Sequence, residues 1–135
     1  MNESETLSEL LCGFFAEAAE IPFVPEVWRE GAASVRLTGA AYSVRDYVDG
    51  SGVTEVPFEI RVRCDGAAIR SRLDALALFA SLADYARAHV PAEGVRVKPT
   101  SGGAKSAVYD DGTEEYRMSM SAELFRESAP SGESD

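Results

Sequence analysis

Apolar and polar residues alternate almost without fault from Val53 to Asp65. Val56, Phe58, Ile60, Val62 and Cys64 point one way; Glu55, Glu59, Arg61, Arg63 and Asp65 point the other. Side chains change face at every residue of a strand, so this stretch predicts a strand with one greasy and one charged face. Asp65-Gly66 follows, with Asp65 placed to cap a helix. The next stretch, AAIRSRLDALALFASLADYARAH, predicts that helix. Ile69, Leu73, Leu76, Ala80 and Ala83 recur at helical spacing, and Leu78, Phe79 and Leu82 widen the stripe. The helix is expected to stop near His89, because Pro91 disfavours helical geometry before it. A strand that needs a cover, joined to a helix able to cover it, makes a folding unit.

The same reading organises the rest. Residues 3–20 predict an amphipathic helix, with Leu7, Leu10, Leu11, Phe14, Phe15 and Ala18 on one face. Pro22 and Pro25 end it, and the segment Ile21–Glu30 is expected to pack without regular structure. Trp28 sits there, either in the core or in an interface, where tryptophan is enriched. Ser34–Asp49 predicts a strand of unclean phase, with a bulge or break at Gly39-Ala40-Ala41. Asp49-Gly50-Ser51-Gly52 predicts a flexible turn into the central strand. Beyond the long helix, VRVKPT predicts a short strand and Ser101–Ala104 a turn. Lys105–Tyr109 predicts another short strand, and Asp110-Asp111-Gly112-Thr113 a hairpin turn. EEYRMSMSAELFRE then predicts a long strand with Tyr116, Met118, Met120, Ala122 and Leu124 inward. The last residues, SAPSGESD, are small, polar and acidic, and read as a disordered tail.

The expected architecture is one α+β domain over residues 1–127, with residues 128–135 as the acidic tail. An antiparallel sheet carries an N-terminal helix and one long central helix, packed on one face. No internal repeat stands out. With 135 residues, 45% hydrophobic and 27% charged, the chain suits a single soluble domain with a real core. No apolar run approaches the ~18 residues of a membrane span. MNESETLSEL is acidic and has no basic region, so no signal peptide is expected. Cys12 and Cys64 fall on core faces and read as reduced thiols of a cytosolic protein.

The net charge of −10 argues against a surface that grips nucleic acid, since that affinity comes from Lys and Arg at phosphates. It fits solubility, a basic partner, or a surface that DNA passes without adhering. Catalytic chemistry is not in evidence. His89, the single histidine, lies at a helix C-terminus, and no motif supplies it with a partner. The chain has no CxxC, no HExxH and no phosphate-cradling glycine loop. The pairs Asp110-Asp111 and Glu114-Glu115 read as solvated carboxylates, not a cation site. Neither a cofactor nor a metal is expected, and an enzyme ranks last among the function classes.

Three stretches, Phe58–Arg63, Arg72–Tyr85 and Asp110–Leu124, together with the order of elements over residues 3–127, carry a likeness. The chain resembles the small minor capsid proteins in the tail-gene clusters of long-tailed phages and prophages. Those proteins are similar in layout to tail terminators, also called tail-completion proteins. The resemblance implies an α+β domain that assembles, typically as a six-membered ring, on the end of the tail tube and meets the head connector. It implies residence in the virion, at the head–tail junction, after synthesis in the bacterial cytoplasm. DNA would pass through the lumen of an acidic ring without specific binding. A ring needs a heterologous interface, in which one patch fits a different patch of the neighbour. The candidates are Trp28, Tyr42, Asp49, Gly50, Gly52, Glu55, Glu59, Ser101, Gly102, Lys105, Asp110 and Asp111. Two other readings stand beside it. One is a different head–tail joining protein or the tube protein. The other is a small acidic binding module, such as an immunity protein.

Overall fold

The structure, a computed structural model, describes residues 3–19, 21–26, 32–65 and 69–126. The tail 128–135, Trp28 and the chain after Asp65 that would start the long helix lie outside them. Nine elements follow in order: α1 (Glu3–Ala16), β1 (Phe23–Pro25), β2 (Ala33–Leu37), β3 (Tyr42–Asp46), β4 (Gly52–Asp65), α2 (Ile69–Ala88), β5 (Val95–Pro99), β6 (Ala104–Val108) and β7 (Thr113–Arg126). The chain is mixed α and β, with a seven-stranded sheet and two helices. Neither helix is long and apolar enough to cross a membrane, among the described residues.

The sheet is built on two long strands. β4 and β7, each 14 residues, pair antiparallel along their whole length, from Gly52↔Arg126 to Asp65↔Thr113. β2 and β3 share the outer side of β4, and β5 and β6 share the outer side of β7. The expected first strand is therefore two strands, and the GAA stretch lies in the gap between them. Gly39 lies against the ring of Pro57 on β4, which has no N–H to give to a ladder, and the pairing is interrupted between β2 and β3. The Ile21–Glu30 segment, expected to be irregular, instead contributes β1. That strand pairs parallel with β2 (Phe23↔Ala33), so the sheet is mixed and not wholly antiparallel. Glu26 ends β1 in the left-handed region at φ 62° and anchors the corner. Its carboxylate accepts from the Leu37 amide at 3.0 Å and the Ser8 hydroxyl at 3.3 Å.

One face of this sheet holds the core. Val56, Phe58 and Ile60 of β4 and Tyr116, Met118, Met120 and Ala122 of β7 are buried there, as the alternation predicts. Both helices add side chains to the same cluster: Leu7, Leu11, Phe14 and Phe15 from α1, and Ala75, Phe79, Leu82, Ala83 and Ala86 from α2. Phe15 meets the Phe58 ring at 6.2 Å, and Phe14 meets Tyr85 of α2 at 4.9 Å. Gly103 passes so close to the Phe79 ring that a Cβ would overlap it, which seats the β5–β6 loop on α2.

The buried face of α2 keeps Phe79, Leu82 and Ala83 of the expected stripe and its flank, but not the rest. Leu73, Leu76 and Ala80 point to solvent, with Leu73 57% exposed. The buried row is Ala75, Phe79, Leu82, Ala83 and Ala86, a quarter to a third of a turn away. Leucine and alanine occur all round this helix, so spacing alone supports two stripes. The bulk of Phe79 against Gly103 selects one.

An internal repeat is present after all. Each position of β2–β4 has a counterpart 62 residues later in β5–β7: Val35 and Val97, Gly50 and Gly112, Phe58 and Met120. The pairings match as well. Val35 faces Ile60 where Val97 faces Ala122, and the short strands β3 and β6 each carry a register shift at the same place. The two halves meet across β4–β7 about a pseudo-twofold axis through the Phe58–Met120 pair. The helices follow suit, 68 residues apart, with Leu7, Leu11, Phe14 and Phe15 matched by Ala75, Phe79, Leu82 and Ala83.

Candidate functional site

The repeat places one hairpin turn at each end of the β4–β7 pair, and the two turns are the same device. In Tyr47-Val48-Asp49-Gly50-Ser51, Asp49 Oδ1 accepts from the Ser51 amide at 2.9 Å and its hydroxyl at 2.6 Å. In Tyr109-Asp110-Asp111-Gly112-Thr113, Asp111 Oδ1 accepts from the Thr113 amide at 3.0 Å and its hydroxyl at 2.7 Å. Gly50 (φ 89°) and Gly112 (φ 87°) take the left-handed position that lets each hairpin close. The hydroxyl and amide donors hold both carboxyls below the usual aspartate value. The Asp49–Gly52 turn, expected to be flexible, is thus tied by its own side chains. Gly52 itself is buried at the start of β4, against the Arg45 carbonyl and the Arg126 side chain.

Among the described residues, the sheet face away from the core carries no helix. From its centre towards the β6–β7 end the carboxylates are closed in. Glu115 Oε2 accepts from Ser106 Oγ at 3.0 Å and its Oε1 from the Tyr109 hydroxyl at 3.0 Å, while Arg117 and Arg61 lie at 3.6 and 3.9 Å. Glu59 accepts from Arg117 at 3.1 Å, and the Arg63 guanidinium stacks on the Tyr109 ring at 3.9 Å. Glu59 is only 4% exposed and Glu115 3%. Further along the face, Lys98 bridges Glu123 at 3.3 Å and Glu55 at 3.7 Å.

The candidate residues therefore do not form one patch. Tyr42, Asp49, Gly50, Gly52 and Glu55 gather at the β3–β4 end, and Tyr42 lies opposite Glu55. Asp110 and Asp111 occupy the other end. Lys105 sits on the β6 edge with Glu114 at 3.6 Å. Ser101 and Gly102 lie on the edge between β5 and β6, where Ser101 and Ser119 exchange hydrogen bonds. Glu59 is corrected from a contact residue to a buried partner of Arg117, since its carboxylate is enclosed within the subunit.

Sequence reasoning missed a groove of about 520 Å³ at the β3–β4 end. Tyr47, Val53, Val90, Val95 and Phe125 line it, with Arg45, Arg96, Glu93 and Glu123 around them. Phe125 is 54% exposed. It stands opposite Val53, on the outward row of β7 that otherwise reads Glu115, Arg117, Ser119, Ser121 and Glu123. A phenylalanine in that row was the legible signal.

Of the nucleophiles, neither thiol is in a disulfide, and Cys12 is buried. Burial, with Glu26 and Glu9 nearby, raises the Cys12 thiol from 9.0 to about 11. A raised thiol binds its proton more tightly in the folded state. Its contribution to stability is present below pH 9 and is lost as the pH rises towards 11. In a Cys64→Ser background, native Cys12 should react with a disulfide reagent at pH 8 at least about 10-fold more slowly than in urea. Equal rates would show that the thiol is neither buried nor raised. His89 stacks on Tyr85 at 4.2 Å, with Nδ1 3.2 Å from the Tyr85 carbonyl, at the exposed end of α2. Among the described residues no three His, Cys, Asp or Glu side chains converge as a metal site would need.

No protein-family model matches the chain, and no curated protein matches it.

Proposed function

We propose that the chain is a structural subunit of a long-tailed phage, of the tail terminator type, which joins copies of itself into a ring on the end of the tail tube. The observation that supports this reading is the placement of the exposed large apolar side chains. Tyr42, Tyr47, Val48, Val90 and Phe125 lie at one end of the β4–β7 pair, and Leu73, Leu76 and Val108 lie towards the other. Fourteen residues at about 3.3 Å each set these ends about 45 Å apart. Apolar patches at both ends of a stiff spine suit a unit that repeats end to end, because one patch is then covered by the next subunit.

In this reading the two sides of the sheet have different jobs. The helix-free face mixes Glu55, Glu59, Glu115 and Glu123 with Arg61, Arg63, Arg96, Lys98 and Arg117. The helix side presents exposed carboxylates, Glu9 and Glu17 on and just after α1, Asp74 and Asp84 on α2. We assign that side to the lumen, where like charge keeps DNA from adhering.

Light scattering on the purified protein tests the assembly. A particle of about six times 14.5 kDa is expected, and electron microscopy should show it capping isolated tail tubes. Particles that never bind tube ends count against the terminator reading. Glu9→Lys with Glu17→Lys should slow DNA delivery, and unchanged infectivity would remove the lumen assignment. A monomer that captures a basic protein would instead place the chain among acidic binding modules, which the net charge of −10 also fits.

A further inference from the structure

The pseudo-twofold axis allows the two ends of the sheet to be compared position by position. At the β6–β7 end, Arg63 stacks on Tyr109, and the Tyr109 hydroxyl donates to the buried Glu115. These three close that end with charge and hydrogen bonds. At the β3–β4 end the counterparts, 62 residues away, are Phe125, Tyr47 and Val53. All three line the groove, and Phe125 and Tyr47 remain exposed. The repeat thus builds the same place twice and fills it once. The unfilled copy has an apolar floor and two guanidinium groups, Arg45 and Arg96, at its sides. Arg45 donates to the Tyr47 hydroxyl at 3.4 Å. Of the two carboxylates there, Glu123 already faces Lys98 and Arg96, and Glu93 lies exposed on the turn after α2.

We propose that this groove receives the β6–β7 hairpin tip of a second copy of the chain, in a head-to-tail contact. The tip offers a partner for the apolar floor and for the guanidinium groups: Val108, 64% exposed, next to the exposed carboxylates of Asp110 and Asp111. Val108 enters among Val53, Tyr47 and Phe125, and the aspartates approach Arg45 and Arg96. Within one chain the contact is impossible, because tip and groove lie at opposite ends of a spine about 45 Å long. A heterologous contact of this kind propagates until it closes, so the proposal rests on the ring reading and names its interface.

Two variants test it. Phe125→Lys damages the groove and leaves the tip intact; Val108→Lys with Asp110→Lys damages the tip and leaves the groove intact. All three positions are exposed, so the folds should survive, with circular dichroism as the check. Tyr47→Glu is the second groove variant if Phe125→Lys misfolds. Each variant alone should run as a monomer. An equimolar mixture should form a dimer of twice 14.5 kDa and nothing larger, because one good tip meets one good groove and both outer ends are dead. Variants that assemble like the wild type would overturn this contact while leaving the ring reading standing. A mixture that stays monomeric while the wild type assembles also overturns it. So does a wild-type chain that stays monomeric up to about 1 mM, where even a contact of about −4 kcal/mol would be seen; the groove then belongs to another protein. Failure of the ring to cap tail tubes bears on the function alone.

Discussion

Replacing Phe58 with alanine lowers the unfolding free energy by about 3–5 kcal/mol, as is usual for a fully buried phenylalanine. Phe58 has no exposed surface and stands on the pseudo-twofold axis opposite Met120. Its ring faces Phe15 of α1 at 6.2 Å, so the side chain ties the first helix to the centre of the sheet. Truncation removes apolar burial and leaves a void that the paired 14-residue strands cannot collapse around, because their ladder fixes their separation. For a domain of this size the midpoint of thermal unfolding should fall by roughly 10–20 °C. Phe125→Ala is the control. That ring is half exposed, and its loss should change monomer stability by less than about 0.5 kcal/mol. Urea unfolding of the two variants side by side makes the comparison. Similar losses for both would mean that the core is not centred on β4 and β7 as described.

Glu115→Ala is expected to cost about 3–5 kcal/mol, the range for breaking a buried charge cluster from one side. The carboxylate has four neighbours: the Ser106 and Tyr109 hydroxyls at 3.0 Å, Arg117 at 3.6 Å and Arg61 at 3.9 Å. Without it, the Arg61 side chain, 17% exposed, loses a counter-charge, and Ser106 and Tyr109 lose an acceptor. Ser106 and Tyr109 also hold β6 and its turn to β7, so the damage should spread to the hairpin tip. Glu115→Gln keeps an acceptor and the shape but removes the charge, and should cost about half as much. The exposed bridge from Arg126 to Asp46 at 2.6 Å gives the contrast, with a loss of about 1 kcal/mol or less for Asp46→Ala. Denaturant midpoints separate these cases. A Glu115→Ala chain as stable as the wild type would mean that the cluster contributes no net stability.

The helix and strand pattern was legible because it is local. The α1 face, the inward rows of β4 and β7 and the two DG turns follow from residue spacing and turn chemistry alone. The break at Gly39-Ala40-Ala41 was legible for the same reason. β1 was not, because three residues interrupted by Pro25 show no period. The groove was not either. Its lining comes from β3, β4, β5, β7 and the turn after α2, and only the outward Phe125 marks it in the chain.

The duplication shows the limit most clearly. Equivalent core positions hold Phe58 and Met120, or Ile60 and Ala122, and Leu37 answers to Pro99. Burial asks for apolar volume, which one half supplies with large side chains and the other with small ones, so similarity fades while geometry persists. The longest stretch that keeps its residues is the turn, Tyr-x-Asp-Gly-Ser and Tyr-x-Asp-Gly-Thr, because it needs those side chains for its own hydrogen bonds.

By itself the sequence determined the two helices, the two long strands with their inward faces, the hairpin turns and the acidic balance. Each depends on residues a few positions apart. Tertiary structure alone decided which stripe of α2 is buried, which carboxylates of the charged row are enclosed, and which end of the sheet stays open. Those outcomes depend on partners dozens of residues away, on Gly103 against Phe79, on Tyr109 against Arg63, and on Phe125 standing where its counterpart is an arginine.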